Sequence, residues 1–115
     1  MDYDLLFTII PKTSWRTASN EGEFAPESLE SQGYIRCIPD KELENYANSQ
    51  FNGEDELLLI VIDPLRIQVP IKHETVKDIQ YPLICGSLKL DAIIEKIDLT
   101  RDKKNKFRIS IKHFD

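Results

Sequence analysis

The chain is poor in the residues that small proteins use for covalent or metallic cross-links. It has two cysteines and two histidines in 115 residues. Cys37 sits in Tyr34-Ile35-Arg36-Cys37-Ile38 and Cys85 in Leu83-Ile84-Cys85-Gly86. Cysteine in apolar surroundings behaves as a small buried hydrophobe, and both are expected as reduced thiols. His73 and His113 are distant from either cysteine in sequence, so no metal-ligand spacing arises and no metal is expected. The four glycines are scattered, and none forms the G-x-G-x-x-G or G-x-x-x-x-G-K pattern of a phosphate loop. A G-x-S-x-G nucleophile elbow and a neighbouring Cys–His pair are also lacking, and two histidines leave few ways to assemble a triad in space. The longest apolar run, Leu57 to Ile62, falls far short of the ~20 residues that cross a bilayer. Met1-Asp2-Tyr3-Asp4 is acidic where a secretory signal is basic, so the expected location is cytoplasmic, without membrane contact.

What is plentiful is acid. The net charge is −5 and the pI about 5.0, which makes a nucleic-acid partner unlikely, since phosphates call for a basic field. The local exception is the run Arg101-Asp102-Lys103-Lys104-Asn105-Lys106-Phe107-Arg108. It reads either as a solvated hairpin tip or as a local anion or RNA contact. The length fits one domain, 1–115, whose core needs no staple.

The elements are short. Leu5 to Ile10, ended by Pro11, reads as an inner strand. Thr13 to Asn20 reads as a short helix capped by Thr13 or Ser14, with Trp15 and Ala18 on one face. Pro26 opens one or two helical turns that Gly33 closes. Tyr34 to Ile38 reads as a strand. Asp40 is expected to cap an amphipathic helix whose core face is Leu43, Tyr46, Ala47 and Phe51. Leu57 to Ile62, apolar throughout, predicts a central strand covered on both faces. Ile67 to His73 is a weaker strand, which Pro70 pushes toward an edge. Tyr81 to Gly86 resists classification by period. Ile93 to Leu99 and Phe107 to His113 suggest a terminal hairpin, with its last strand over 106–113. Strands and helices do not alternate regularly, so the fold class is α+β with a mostly antiparallel sheet.

Tyr34-Ile35-Arg36-Cys37 is the most suggestive stretch. With Ile35 and Cys37 in the core, Tyr34 and Arg36 share the other face. Such a pair can hold a planar ring and a phosphate together, or can be a plain outward pair on a sheet.

Residues from about 5 to 99 resemble the family called domain of unknown function 952. The likeness runs through Leu6-Phe7-Thr8-Ile9-Ile10-Pro11 and Trp15, then Gly22-Glu23-Phe24-Ala25-Pro26-Glu27-Ser28-Leu29. It continues through Gly33-Tyr34-Ile35-Arg36-Cys37, Ala47-Asn48 with Phe51, Leu59 to Asp63, and Glu74. It ends with Tyr81-Pro82-Leu83-Ile84-Cys85-Gly86-Ser87-Leu88 and Leu90-Asp91-Ala92. The family is similar in fold to ADP-ribosyltransferases and RNA 2′-phosphotransferases. The resemblance implies small split sheets around a cleft, with NAD as the cofactor or substrate in active relatives. It also implies site residues at Thr8, Ser28, Tyr34, Arg36, Leu83 and Cys85, with Glu74 as the candidate catalytic carboxylate. Thr8, Arg36, Leu83 and Cys85 stand where the family carries long or ring-bearing polar side chains, and are expected to converge on one cleft. Thr8 lacks the reach of a guanidinium and Leu83 cannot donate a hydrogen bond. The expected function is therefore a degenerate ADP-ribosyltransferase-like domain that keeps a cleft for a small-molecule, nucleotide or phosphate-bearing ligand, without strong catalysis. Two alternatives stand beside it. One is an active NAD-consuming ADP-ribosyl- or phospho-transfer enzyme. The other is a small protein-interaction or inhibitor protein with a protein partner.

Overall fold

The structure is a computed structural model and describes residues 5–109. Among the described residues nine strands are formed: β1 (Leu6–Pro11), β2 (Ser19–Asn20), β3 (Glu23–Phe24), β4 (Ile35–Arg36), β5 (Glu56–Ile62), β6 (Ile71–Val76), β7 (Ile79–Ile84), β8 (Leu88–Lys89) and β9 (Ile93–Thr100). The helices are α1 (Trp15–Ala18), α2 (Glu27–Gln32) and α3 (Leu43–Gln50), with short 3-10 turns between elements. The strands make three antiparallel three-stranded sheets, ordered β1-β5-β9, β2-β3-β8 and β4-β7-β6. The class is α+β, as the sequence suggests.

The apolar run Leu57–Ile62 forms the middle strand β5, and strand alternation accounts for its lack of polar positions. Leu58, Ile60 and Ile62 enter one core, with Ile10, Phe24, Ile35, Ile84 and Leu88. Leu57, Leu59 and Val61 enter a second, with Phe7, Ile9, Leu43, Leu99 and Phe107. A strand buried on both faces must be apolar at every residue.

Several local expectations are corrected. The segment 13–20 is not one helix: a 3-10 turn over Lys12–Ser14 leads into α1, and Ser19–Asn20 pairs with Glu23–Phe24. The turn between them, Glu21-Gly22, has positive φ at both residues, the conformation of a tight hairpin. Asp40 does not cap α3. Residues Asp40–Glu42 form a 3-10 turn, and no side chain caps the helix that follows. The weak strand starts after Pro70 rather than at Ile67. In α2 the expectation holds: Pro26 precedes the helix and Gly33 ends it at φ +85°, a conformation that favours glycine.

The unclassified segment Tyr81–Gly86 contains most of β7, the centre of its sheet. A proline inside a central strand is unusual, and its position explains a neighbour. Cys37 donates its backbone N–H to the Pro82 carbonyl at 2.8 Å, but Pro82 has no N–H to return. The ladder cannot close there, and β4 is limited to Ile35–Arg36 where Tyr34 to Ile38 was expected.

Of the expected terminal hairpin, the first strand forms as β9 and the described part of the second makes one antiparallel bridge. The full length of β9 pairs with β5, and Arg101↔Phe107 is an isolated bridge. Residues 110–113 of that hairpin, His113 included, lie outside the described residues. The described tail docks on α3. Asn48 Nδ2 donates to the Phe107 carbonyl at 3.0 Å, and the Phe107 amide donates to Asn48 Oδ1 at 2.8 Å. Arg101 donates to the carbonyls of Phe51, Asn52 and Glu54, at and just past the end of α3, and to that of Asn105.

Candidate functional site

The cleft, of about 970 Å³, is walled by β1, the α1 and α2 segments, Arg36 and α3. Its apolar and aromatic lining includes Ile9, Ile38, Tyr46, Phe51 and Tyr81. Its charged lining is Arg36 opposed by Glu27, Glu30 and Glu42.

Arg36 is the centre of the polar groups. Its Nη2 donates to Glu74 Oε1 at 2.5 Å and to Tyr34 Oη at 3.4 Å. Its Cζ lies 5.1 Å from the Tyr81 ring centroid and 5.7 Å from that of Tyr34, within cation–π range. Burial acts first to lower the guanidinium's pKa. The hydrogen bonds to Glu74 and Tyr34 and the Glu74 charge outweigh it, so the net shift is upward. Nε and Nη1 have no hydrogen-bond partner among the described residues. Because no buried side-chain polar atom is left unpartnered there, these N–H groups open to solvent.

Tyr46 stands 6.4 Å from Tyr81 and 6.2 Å from Phe51, ring centre to ring centre. Burial pushes its phenol pKa up; Arg36 opposes the shift, while Tyr81 and Tyr34 add to it. Tyr46 thus stays a neutral phenol in the cleft wall. Burial also pushes the Cys37 thiol up to about 12, which leaves it protonated and inert.

The structure places Thr8, Ser28 and Arg36 on the cleft wall. Thr8 is spoken for: its Oγ1 donates to the Arg36 carbonyl at 2.8 Å and ties β1 to β4. Tyr34 and Glu74 reach the site through their contacts with Arg36 and are not themselves among the lining residues. Leu83 and Cys85 are not brought to the cleft. Leu83 pairs with Arg36 in the sheet but is covered over, and Cys85 lies past the end of β7, its Sγ 3.6 Å from the Leu83 carbonyl oxygen. Tyr46, Phe51 and Tyr81 are cleft residues that sequence reasoning did not assign. Their one signal is chemical: Tyr46 falls on the apolar face of its helix yet carries a polar tip that seeks water or a partner.

A family described as "Protein of unknown function (DUF952)" matches residues 9–96. The chain belongs to this family. The matched span of this DUF952 chain holds Arg36, Tyr46, Glu74 and Tyr81, and leaves Thr8 and the docked tail outside. No curated protein matches it. Among solved structures it is similar to the X-ray structure of protein CC0527 from Caulobacter crescentus. The TM-score is 0.79 at 19% identity, with 91% of this chain and 94% of that one covered. The solution NMR structure of CC0527 gives a TM-score of 0.70 at 21% identity, covering 89% and 90%. At such identities the likeness is one of fold.

Proposed function

We propose that this DUF952 domain is a degenerate ADP-ribosyltransferase-like module whose cleft binds a planar, phosphate-bearing ligand of the nucleotide type without strong catalysis. One observation carries the reading. Arg36 is steadied by two tyrosines and a carboxylate and still has Nε and Nη1 open, beside a cleft wall bearing Tyr46, Phe51 and Tyr81. A guanidinium that keeps N–H donors open suits a phosphate, and the aromatic wall suits a base.

The weakness of catalysis follows from commitments already made. Breaking a nicotinamide–ribose bond requires stabilisation of positive charge on the ribose as it develops. The candidate catalytic carboxylate, Glu74, is paired with Arg36, so its charge is largely neutralised. The Thr8 hydroxyl is held by the backbone. Arg36 itself would oppose a cationic transition state at short range and helps only by holding an anion.

The test is calorimetry and thermal shift with AMP, ADP-ribose, NAD and inorganic phosphate, together with an assay of nicotinamide release. A nucleotide at 100 times its dissociation constant should add about 2.7 kcal/mol of stability, and Arg36→Ala should abolish the gain. Binding should survive Glu74→Gln, and nicotinamide release should stay at the level of buffer. If no phosphate-bearing compound binds, the reading fails. Release of nicotinamide that either substitution abolishes would replace it with the enzyme reading.

A further inference from the structure

We propose that the outer edge of β6 pairs with the same edge of a second copy of this chain, forming a two-fold homodimer centred on His73. This goes beyond the ligand-binding reading and does not depend on it.

β6 is an edge strand: within the described residues it pairs with β7 on one side and with nothing on the other. Ile71, Lys72, His73, Thr75 and Val76 are exposed. The backbone groups that face outward can be identified. The Cys37 amide donates to the Pro82 carbonyl, so the even-numbered residues of β7 turn toward β4 and the odd-numbered ones toward β6. The β6 residues opposite those odd positions are Lys72, Glu74 and Val76. Ile71, His73 and Thr75 therefore point their N–H and C=O groups outward.

Two identical antiparallel strands must meet about an axis perpendicular to the sheet, so facing residues share parity. Only one register uses all three outward residues: His73 opposite its own copy, and Ile71 opposite Thr75 on both sides of the axis. That register places Lys72 opposite Glu74 twice, at non-hydrogen-bonded positions where side chains stand closest. The charge pattern of the strand is thus self-complementary in the one register that its hydrogen bonding permits. Lys72 has no ion-pair partner among the described residues and is free to make this contact. Glu74 accepts from Arg36 through Oε1, which leaves Oε2 to face Lys72 of the second copy. The two copies would share one continuous sheet, with both Arg36 sites on the same side of it.

Sedimentation of the full chain should show a monomer–dimer equilibrium that Lys72→Glu weakens at least roughly tenfold, since like charges would then face each other twice. In a Cys85→Ser background, His73→Cys should form a symmetric disulfide under mild oxidation. The two Cα atoms at a hydrogen-bonded pair are about 5.5 Å apart, within disulfide range. Thr75→Cys should not cross-link, because its copy would lie two pairs away on either side of the axis. A chain that remains monomeric up to millimolar concentration overturns the proposal. So does a dimer indifferent to Lys72→Glu, or cross-linking equally efficient at both positions.

Discussion

The guanidinium of Arg36 reaches across β7 to the carboxylate of Glu74, and the Tyr81 ring of the intervening strand lies 5.1 Å from its centre. Edge strands β4 and β6 are thereby joined through side chains as well as through the ladder. The Glu74 side chain is 44% exposed and that of Arg36 24%. An ion pair so accessible to water contributes little, so Glu74→Gln should lower stability by no more than about 1 kcal/mol. Arg36→Ala should cost more, because it also strips packing from two aromatic rings. Urea unfolding of both variants measures the order, and a larger loss for Glu74→Gln would contradict it.

Leu59 is 1% exposed and lies in the middle strand of its sheet, opposite Ile9 on one side and Ile97 on the other. Leu59→Ala should destabilise the domain by ~2–5 kcal/mol, the range for buried leucine truncations. An unchanged denaturation midpoint would mean that this face of β5 is not packed.

Both cysteines are free, Cys37 buried and Cys85 partly exposed. A thiol reagent should modify Cys85 in the folded protein and reach Cys37 only on unfolding. Mass spectrometry after thiol blocking should find no intramolecular disulfide. Burial raises the Cys37 pKa from 9.0 to about 12. Its contribution to stability is therefore complete below the unfolded value and declines as pH rises from 9.0 toward about 12. Cys37→Ala should show a shallower alkaline decline; equal slopes would refute the assignment.

Asp102 accepts hydrogen bonds from the Lys104 and Lys106 amides and from Arg108 Nε. The Arg108 bond above all, then the Lys106 amide, holds its pKa below the ordinary 3.8. A depressed folded value means that the stabilisation is present above 3.8 and fades as pH falls through the folded pKa. Asp102→Asn should therefore be less stable than the parent at neutral pH, with the difference closing in acid. Denaturation midpoints at the two pH values check this, and a gap independent of pH would exclude it.

The parts of the fold that were legible in sequence are those where one rule acts unopposed. Leu57–Ile62 has no polar position to obscure its burial on both faces, and Pro26 and Gly33 bracket α2 unambiguously. The illegible parts are those where tertiary contacts override local preference. Pro82 argues against a central strand, yet the strand tolerates it because its missing N–H faces the point where β4 stops. Ser19 and Asn20 continue a helical pattern in sequence, but the hairpin turn at Glu21-Gly22 claims them for a sheet. In the cleft, Arg36 with Tyr34 stood out because alternation puts them on one face. Tyr81 and Tyr46 did not, since their approach to Arg36 depends on how the β4-β7-β6 sheet meets α3, which no local period encodes.

The central position of β5 bears on the order in which the chain can fold. Leu6 must find Ile62, and Thr100 must find Glu56, so neither of the main pairings is local. Closing such loops costs entropy before any contact returns it. The β6–β7 hairpin is different, because its Lys77-Asp78 turn has positive φ at both residues, the geometry that lets two strands pair at once. On a growing chain this hairpin can form early, while β5 has β1 already available but waits for β9 to cover its other side. Until then β5 exposes an unpaired apolar edge, and the interval before β9 is complete is when the protein is most open to association with other chains.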